Sequence, residues 1–455
     1  MIFTIFGATG DLTTKKLIPA LYVLFSDDQL PSHFIVNLIG RQPFENDLFI
    51  EHIKGQIEGD FPEWDAFKTH LKYIKMDFTD EEAYGDFQSY MKSINVNSAQ
   101  ERIYYLATAP RFFPIIAKVL VENNLVVRSN MRDKIIFEKP FGENLETAKS
   151  YNHLLLGLIE ESQIYRIDHY LGKEMLQNVL MVRFANKIFE SIWNHHNIEH
   201  ITIYAFETET VKQRGGYYDR SGALRDMVQN HLFQTLALVA MDQPNGLNDR
   251  LIKDEKVKVL ENLEFSSPMI YGQYDGYLSE KGIPSDSKTE TFVALKMSVN
   301  TQRWANTPFY LVTGKKMNSK RAAIVITFKN SNFFFESGQP EKNTLTIEIA
   351  PREGIALTFN GKAPGLQSYV MPMKMDYCHL CNVMGNTPEA YEKLILDVIH
   401  DDASLFTRWD EIESSWKVID QLEQLKKYER LHIYKDESEI IERLKSEWGQ
   451  FLTYL

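Results

Sequence analysis

Apolar and polar positions follow two different patterns along the chain, and the change falls near residue 168. Before that point, short and nearly continuous apolar runs are separated by stretches long enough for a crossover helix. The runs are IFTIF (2–6), FIVNLIG (34–40), LKYIKM (71–76), RIYYLATAP (102–110), DKIIFEKP (133–140) and QIYRID (163–168). Continuous apolar strands are buried on both faces, so this half predicts a doubly wound, Rossmann-like parallel sheet. The ligands of such a sheet bind at the carboxyl ends of its strands.

Beyond residue 168 the apolar positions alternate with a period of two. The predicted strands are HITIYAFE (200–207), TFVALKMSV (291–299), PFYLV (308–312), AAIVITFK (322–329), TLTIEIA (344–350) and GIALTFNG (354–361). Alternation with little helix between several strands predicts a large, mainly antiparallel sheet with one covered face. Helices are predicted over residues 224–241 and after Pro388. We therefore expect an α/β domain over residues 1–168 and an α+β domain over residues 169–455.

Composition and charge exclude some kinds of binding partner. A chain of 455 residues exceeds one ordinary core, and 50 Lys plus Arg against 62 Asp plus Glu give a net charge of −12. This balance argues against nucleic acid or an anionic membrane as the main partner. No apolar run reaches the roughly 20 residues of a membrane span, and the first residues read as a strand and not as a signal peptide. A soluble, cytoplasmic protein is expected.

The two cysteines, Cys378 and Cys381, form a single CxxC. A zinc site usually needs a second pair of ligands, and a thioredoxin-type CxxC opens a helix after an early strand of a βαβ unit. Neither context is present. We interpret the pair as thiols in a reducing compartment and predict no metal site.

The first predicted strand runs into the turn Gly7-Ala8-Thr9-Gly10-Asp11-Leu12. It resembles a dinucleotide-binding turn in which Gly7 permits a tight exit from the strand and Gly10 the approach of a pyrophosphate, with Leu12 in place of the third glycine. Its position after a strand and before the KKLIPAL helix carries more weight than its glycines, and Pro19 is expected near the start of that helix.

Three further strand ends carry candidate cofactor residues. Arg41 follows the second strand, where an acid would bind the ribose of NAD and an arginine favours the 2′-phosphate of NADP. NADP is therefore the preferred coenzyme, and NAD remains possible. The alternative interpretation of Arg41 is a solvated surface residue that contacts no cofactor. Thr108-Ala109-Pro110 ends the fourth strand, and Glu138-Lys139-Pro140 ends the fifth, where the nicotinamide is expected.

The stretch RIDHYLGKEMLQN, residues 166–178, offers a carboxylate, an imidazole, a phenol and an ammonium group within six residues, an unusually dense set for binding an anionic, hydroxyl-rich ligand. If a helix starts near Asp168, His169 and Lys173 share one face and can converge on an anion near the helix N-terminus. A capped, charged helix start is the alternative interpretation.

The helix SGALRDMVQNHLFQTLALVAM carries Asp226, Asn230 and His231 among apolar positions. A histidine there is commonly a core residue. If Asp168 accepted a hydrogen bond from one ring nitrogen, the other nitrogen would be free to take a proton. Lys315 and Lys320, after PFYLV, are either an exposed basic edge or donors to a sugar phosphate.

Together these segments resemble the glucose-6-phosphate dehydrogenase family. The resemblance covers about residues 1–420 and rests on RIDHYLGKEMLQN, GATGDLTTKKLIPAL, APRFF, IFEKPFG, RGGYYDRSGALRDMVQNHL, PSDSKTETFVALK, RWANTPFYLVTGKK and PEAYEKLILDVI. RIDHYLGKE is highly specific for that family. The resemblance implies oxidation of D-glucose 6-phosphate to the 6-phosphoglucono-lactone with reduction of NADP, at the entry of the pentose phosphate pathway.

The resemblance also implies roles for individual residues. His231 matches the general base and Asp168 the residue that orients it, while His169, Tyr170 and Lys173 match residues that hold the 6-phosphate. Residues that line the sugar correspond to Lys139, Glu207, Asp226, Lys315 and Lys320. Cofactor positions correspond to Gly7, Thr9, Gly10, Asp11, Leu12, Arg41, Ala109, Glu138, Lys139 and Pro140. Members of the family are commonly homodimers or homotetramers through the large sheet.

Two departures from the family and two rival interpretations remain. Val312 replaces an arginine before TGK and Ala350 a polar residue, so one sugar contact is expected to be lost or replaced. A related oxidoreductase acting on another sugar would have no reason to carry His169, Tyr170 and Lys173 together. A non-catalytic binding protein would be expected to have lost Asp168 or His231.

Overall fold

The computed structural model describes residues 1–57, 59–94, 100–330, 340–366, 369–378 and 390–449. The chain divides into two compact units. Unit 1 comprises Met1–Gly172, Asn248–Lys253 and Pro388–Glu413, and unit 2 comprises Lys173–Leu247, Asp254–Thr387 and Ser414–Leu455. Each unit contains one sheet.

The sheet of unit 1 has seven described strands in the order β15-β6-β5-β4-β1-β2-β3. Its strands are β1 Ile2–Phe6, β2 Ile35–Gly40, β3 Leu71–Lys75, β4 Arg102–Leu106, β5 Asp133–Phe137, β6 Ile164–Ile167 and β15 Phe406–Thr407. All neighbours are parallel except β15, which pairs antiparallel with β6 at one edge. Strands β1, β4 and β5 are buried throughout. The six predicted strands and the doubly wound parallel sheet are confirmed.

The sheet of unit 2 has nine described strands in the order β14-β13-β12-β11-β7-β10-β9-β8-β16. Its strands are β7 Ile198–Phe206, β8 Leu263–Tyr274, β9 Phe292–Val299, β10 Phe309–Gly314, β11 Arg321–Phe328, β12 Thr344–Ala350, β13 Gly354–Lys362, β14 Val370–Cys378 and β16 Leu431–Tyr434. Among these described strands, only the pairs β7–β10 and β8–β16 are parallel. The predicted, mainly antiparallel sheet is therefore confirmed.

The expectation of one covered face is wrong for the centre of this sheet. Strands β7, β10 and β11 are buried at nearly every position. The alternate positions that look polar in the sequence are filled by Thr202, Thr313 and Thr327, which are themselves buried. Because a threonine can bury its methyl group and hydrogen-bond its hydroxyl to the main chain, as Thr313 does to Ala205 O at 2.8 Å, both faces can be covered.

Fourteen α-helices lie in the remaining described chain, with loops and short 3-10 turns between them. They are α1 Ile18–Ser26, α2 Asn46–Lys54, α3 Trp64–Phe67, α4 Glu81–Ser93, α5 Phe113–Glu122, α6 Leu145–Leu158, α7 Glu174–Phe184, α8 Lys187–Glu190, α9 Gly215–Ala223, α10 Phe233–Ala240, α11 Asp249–Glu261, α12 Ala390–Ile399, α13 Trp409–Lys426 and α14 Glu437–Trp448. π-Helical segments precede α1 at Thr13–Leu17 and α10 at Leu224–Leu232. No helix within the described ranges has the length and apolarity that a bilayer span requires.

One sequence interpretation needs correction at the end of β14. Cys378 is disulfide-bonded and not a free thiol. The sequence argument weighed the CxxC only against metal and thioredoxin contexts and did not consider a disulfide outside those contexts. Cys381 lies outside the described residues.

Candidate active site

The carboxyl ends of the parallel strands bring the predicted cofactor residues of unit 1 to one edge of its sheet. Strand β1 lies between β4 and β2, so connections to its two neighbours run in opposite directions along the sheet. Such a reversal of strand order opens a crevice at the carboxyl ends, where dinucleotides bind in doubly wound folds. Gly7 follows β1, Arg41 follows β2 and Ala109 lies three residues beyond β4.

The turn after β1 requires glycine at its first position. Gly7 has φ +101°, and a Cβ there would lie 2.3 Å from Ala107 O on the neighbouring strand connection. The N–H groups of Gly7 and Ala8 donate to Ile39 O at 3.0 and 2.9 Å, which ties the turn to β2. A turn with this open, side-chain-free surface fits the close approach of a pyrophosphate.

The chain then enters a helix that leaves the turn accessible. Gly10 N–H donates to Gly7 O at 3.1 Å, and Thr13 Oγ1 donates to the same oxygen at 2.9 Å. Thr9 and Asp11 are exposed, Leu12 is half-buried, and Asp11 pairs with Lys15 at 3.1 Å on the surface. As predicted, a helix follows the turn and Pro19 sits in the first turn of α1.

Arg41 lies at the position that distinguishes the two coenzymes. It is exposed, and its guanidinium lies 5.8 Å above the ring of Phe78. Met76 N–H donates to Gly40 O at 2.9 Å, which fixes the backbone just before the arginine. A guanidinium held over an aromatic ring keeps its donor edge open for a phosphate.

Glu138 lies just past the carboxyl end of β5, and two tyrosines hydrogen-bond its carboxylate. Its Oε1 accepts a hydrogen bond from Tyr105 Oη at 2.5 Å and a long one from Tyr391 Oη at 3.4 Å, and its Oε2 accepts from Lys139 N–H at 3.3 Å. The carboxylate is buried although the residue as a whole is half-buried, and this burial raises the pKa of Glu138. Lys139 and Pro140, joined by a cis peptide bond, follow at the same edge and are half-buried.

Tyr391, from the first turn of α12, was missed by sequence reasoning. Its ring stacks on His169 with centroids 6.4 Å apart and planes 10° apart, while its hydroxyl reaches Glu138. Burial, followed by the charge of Glu138, raises the pKa of Tyr391. The only sequence signal was its place in the family segment PEAYEKLI, because more than 220 residues separate it from both partners.

The segment after β6 is a tight turn, which corrects the expectation of a helix starting near Asp168. Asp168 is 3% exposed, and its Oδ1 accepts from Tyr170 N–H at 3.0 Å while its main-chain oxygen accepts from Leu171 N–H at 3.0 Å. An aspartate that binds the N–H two residues on forms a turn that competes with helix. Helix α7 begins only at Glu174, with Lys173 as its extended N-cap, so His169 and Lys173 do not share a helical face.

In unit 2 a π-helical segment carries the second set of candidates. Leu224–Leu232 holds Asp226 and Asn230 half-buried and His231 fully buried, at 0% exposure. His231 O accepts from Thr235 Oγ1 at 2.7 Å, which links the segment to α10. A π-helix is rare and occurs mostly at functional sites. The predicted helix over residues 224–241 is present, but sequence periodicity did not reveal its π-helical first half.

The same π-helical segment packs on β7 and β10, whose carboxyl ends hold Glu207 and Lys315. These strands are parallel neighbours, and Glu207 N–H donates to Gly314 O at 2.9 Å. Lys315 Nζ forms an ion pair with the Glu207 carboxylate and lies 5.0 Å above the ring of Tyr218. Unit 2 therefore brings Glu207 and Lys315 together.

Two other positions are placed separately. Lys320 is exposed just before β11, and its charge helps to lower the pKa of Glu209, after the backbone hydrogen bond that is the main cause. Val312 is fully buried within the apolar cluster of β7, β9, β10 and β11. It therefore has no polar group to offer where the resembled family has an arginine.

Unit 1 defines a nucleotide-binding sheet, and unit 2 carries a buried histidine on a π-helical segment that packs on two strands with charged residues after their carboxyl ends. This combination is typical of NAD(P)-dependent oxidoreductases. Family models describe the same division: "Glucose-6-phosphate dehydrogenase, NAD binding domain" matches residues 4–178, and "Glucose-6-phosphate dehydrogenase, C-terminal domain" matches residues 180–446.

Relatives agree along nearly the whole chain. It is 40% identical to glucose-6-phosphate 1-dehydrogenase of Bacillus subtilis over 93% of this chain and 91% of that protein. It is 39% identical to the enzyme of Streptococcus pneumoniae over 98% and 96%. A solved glucose-6-phosphate dehydrogenase in complex with its substrate glucose 6-phosphate matches with a TM-score of 0.89 and 31% identity, over 99% of this chain and 98% of that one. The chain belongs to the glucose-6-phosphate dehydrogenase family.

Proposed function

We propose that this chain oxidises D-glucose 6-phosphate at C1 to 6-phospho-D-glucono-1,5-lactone and reduces NADP, the entry step of the pentose phosphate pathway. The observation that carries the proposal is the near-complete match to a solved relative in complex with glucose 6-phosphate. The cofactor turn after β1 supports it independently, because its geometry suits a dinucleotide.

His231 is the general base in this proposal, and Asp168 orients it. A neutral imidazole near pH 7 is suited to take the C1 hydroxyl proton, and an aspartate partner stabilises the imidazolium that forms. His231 is fully buried, so bulk water is kept away from the imidazole in this proposal. The NADP nicotinamide, when bound, accepts the hydride from C1.

Substrate binding is divided between phosphate and sugar. His169, Tyr170 and Lys173 hold the 6-phosphate, since imidazole, phenol and ammonium groups can all donate to phosphate oxygens. Lys139, Glu207, Asp226, Lys315 and Lys320 bind the sugar. The pairing of Glu207 with Lys315 supports this, because a carboxylate and an ammonium together can accept from one sugar hydroxyl and donate to the next.

The cofactor residues follow the strand ends of unit 1. Gly7, Thr9, Gly10, Asp11 and Leu12 receive the pyrophosphate, Arg41 the 2′-phosphate, and Ala109, Glu138, Lys139 and Pro140 the nicotinamide end. Exposure of the Arg41 guanidinium supports NADP as the coenzyme. NAD is a possible second coenzyme, and its rate is to be measured separately. In functional terms, residues 1–168 are the cofactor domain and residues 169–455 the substrate and oligomerisation domain.

The protein acts in the cytoplasm as a homodimer or homotetramer that associates through the large sheet. Support comes from edge strand β14, where Met371, Met373, Met375 and Tyr377 leave apolar side chains exposed on one face. Light scattering after size-exclusion chromatography tests this: a dimer or tetramer is expected, and Met373→Lys, Met375→Lys should dissociate it. A monomeric wild-type chain would contradict the assignment.

Absorbance at 340 nm tests the reaction directly. Glucose 6-phosphate is supplied with NADP and, separately, with NAD, and unphosphorylated glucose with NADP serves as the specificity control. We expect reduction of NADP with glucose 6-phosphate and little with glucose, because three proposed contacts bind only the phosphate. No signal with either coenzyme, or equal rates with glucose, would contradict the proposal.

A further inference from the structure

The π-helical segment that carries His231 starts at an abrupt break in the chain. Helix α9 ends at Ala223 and the next segment begins at Leu224, while Gly222 has φ +64° and ψ 179°, outside the helical region. A helix that starts afresh presents backbone N–H groups that have no partner within the helix. The break therefore needs acceptors from elsewhere.

Glu290 supplies acceptors for two of these N–H groups. Its Oε1 accepts from Leu224 N–H at 2.9 Å, and its main-chain oxygen accepts from Ala223 N–H at 3.1 Å. Glu290 lies just before β9 and is 0% exposed. A carboxylate at a helix N-terminus is also stabilised by the helix dipole. A side chain 66 residues away along the sequence thus caps the segment.

The fit between Glu290 and the break is close. A Cβ on Gly222 would lie 2.4 Å from Glu290 Oε1 and 2.8 Å from its Cδ. Only glycine can therefore occupy position 222 while the carboxylate is in place, and its positive φ is also unfavourable for other residues. The geometry of the break and the position of the carboxylate depend on each other.

A second layer of charges holds Glu290. Lys426 forms an ion pair with Glu290 Oε2 and lies 3.7 Å from Glu423, whose other oxygen is 3.2 Å from Arg225 Nε in the first turn of the π-helical segment. Burial opposes the charge of Lys426, yet attraction to Glu290 and Glu423 outweighs it and raises the pKa of Lys426. The chain of charges begins and ends at the helix start.

We propose that Glu290, held by Lys426, is a positioning residue that sets where the π-helical segment begins and thereby where His231 lies. The inference rests on the proposed role of His231 as the base. Misplacing a catalytic group by about 1 Å can cost about 10²-fold in rate even when the altered residue is remote from the reaction. A buried pair that served stability alone would leave the rate of the folded enzyme unchanged.

Unit 1 offers a matched control for that alternative. Asp133 is also 0% exposed, forms an ion pair with Arg102 and accepts Val127 N–H at 2.8 Å, but it lies at the amino end of β5. Glu290→Gln and Asp133→Asn make the same chemical change, loss of one buried charge with an acceptor retained. The difference that the comparison uses is that the backbone N–H bound by Glu290 belongs to the segment that carries His231, and the one bound by Asp133 does not.

The experiment compares kcat, KM for glucose 6-phosphate, the pH profile of kcat/KM and thermal melting for these two variants in the full-length chain. We expect Glu290→Gln to lower kcat by about tenfold or more and to move the acid limb of the profile, which reports the base. Asp133→Asn should lower the melting temperature and leave kcat and the profile as in wild type. If Glu290→Gln folds poorly, the double variant Glu290→Gln, Lys426→Met removes both charges together and is expected to show the same loss of kcat.

Either Glu290 variant with wild-type kcat and pH profile, altered only in melting temperature, would overturn the inference. Wild type and His231→Asn are measured in the same series. An inactive wild type, or an undiminished His231→Asn, contradicts the proposed function instead. An active wild type, an inactive His231→Asn and an undiminished Glu290→Gln contradict this inference alone.

Discussion

Strand β5 carries a buried carboxylate near each end, and the two are held in different ways. At the amino end, Asp133 binds the Arg102 guanidinium through two hydrogen bonds of 2.6 Å. Just past the carboxyl end, Glu138 has tyrosine hydroxyls as partners, and burial raises its pKa. The first carboxylate is neutralised within the protein, and the second keeps a perturbed pKa at the edge where the cofactor is proposed to bind.

Helix α12 connects both regions of unit 1. Its first turn places Tyr391 on Glu138 and His169, and near its last turn Val398 O accepts from Lys134 Nζ at 2.5 Å. Lys134 is 1% exposed and also pairs with Glu101 and Asp401, each at 2.7 Å. At the amino ends of β4 and β5, Asp133 and Lys134 are thus paired with opposite charges, whereas Glu138 at the carboxyl end of β5 is held by two tyrosine hydroxyls and a main-chain N–H. Perturbed groups concentrate at functional sites, so the comparison separates stability from function.

The largest effect, on folding stability, is expected at the amino ends of strands β4 and β5. Arg102→Met leaves the Asp133 carboxylate buried without its cation, which typically costs about 3 to 5 kcal/mol of folding stability. The change should appear in denaturant unfolding followed by tryptophan fluorescence, while kcat of the folded enzyme stays at the wild-type value. A loss of kcat without a loss of stability would break the comparison.

At the carboxyl ends, Gly7→Ala is expected to act on cofactor binding. The new Cβ would meet Ala107 O at 2.3 Å at a strained φ of +101°, and such strain costs about 1 to 3 kcal/mol, so KM for NADP should rise about tenfold to hundredfold. Gly85→Ala is the control, because Gly85 lies within α4 with nothing within 4 Å of a Cβ. An unchanged KM in Gly7→Ala would remove the turn from the cofactor site.

Arg41→Ala removes a single charge at the cofactor edge and so separates the binding of NADP from that of NAD. It should raise KM for NADP by at least about tenfold and leave KM for NAD unchanged, because one charge-assisted hydrogen bond is worth about 1.5 to 3 kcal/mol. Arg128→Ala, which removes an exposed arginine paired with Glu160, is the control and should alter neither KM. Equal effects of Arg41→Ala on both coenzymes would contradict a 2′-phosphate contact.

The smallest effect concerns Asp397 on α12. Burial, partly offset by Lys393, raises the pKa of Asp397 from 3.8 to about 6. An acid with a raised pKa in the folded state contributes stability below its unfolded pKa, near pH 4, and loses it as the pH rises through about 6. Asp397→Asn should therefore melt at a higher temperature than wild type at pH 7.5, with the difference vanishing near pH 4. Lower stability of the variant at pH 7.5 would contradict this sign.

Sequence predicted the strands that show either a short apolar run or a clear alternation of apolar and polar positions. Strands β1 to β6 were found because each is a short apolar run, and the strand ends then located Gly7, Arg41 and Glu138. Strand β8 was missed because LEFSSPMIYGQY mixes serines and a proline into the run and shows no clear period of two. Strand β14 was overlooked although Met371, Met373, Met375 and Tyr377 alternate with Pro372, Lys374 and Asp376, because the proline argued against a strand.

The remaining features that the sequence did not predict depend either on the choice between similar local structures or on partners far away in the sequence. Spacing alone could not tell a helix from the turn that Asp168 forms with Tyr170 N–H, nor a π-helical segment from an α-helix. Tyr391 and Glu290 act through partners far away in sequence, so no local pattern marks them. The family resemblance named the proposed base, whereas the residue that caps its helix became visible only in three dimensions.

The central claim is that His231 takes the proton from C1, and a pair of variants tests it most directly. Lys173→Ala, at a proposed phosphate contact remote from the reacting bond, should raise KM for glucose 6-phosphate with little change in kcat. His231→Asn should lower kcat by about 10² to 10⁴ and leave KM for glucose 6-phosphate nearly unchanged. A His231→Asn enzyme with a kcat close to that of wild type would contradict the claim.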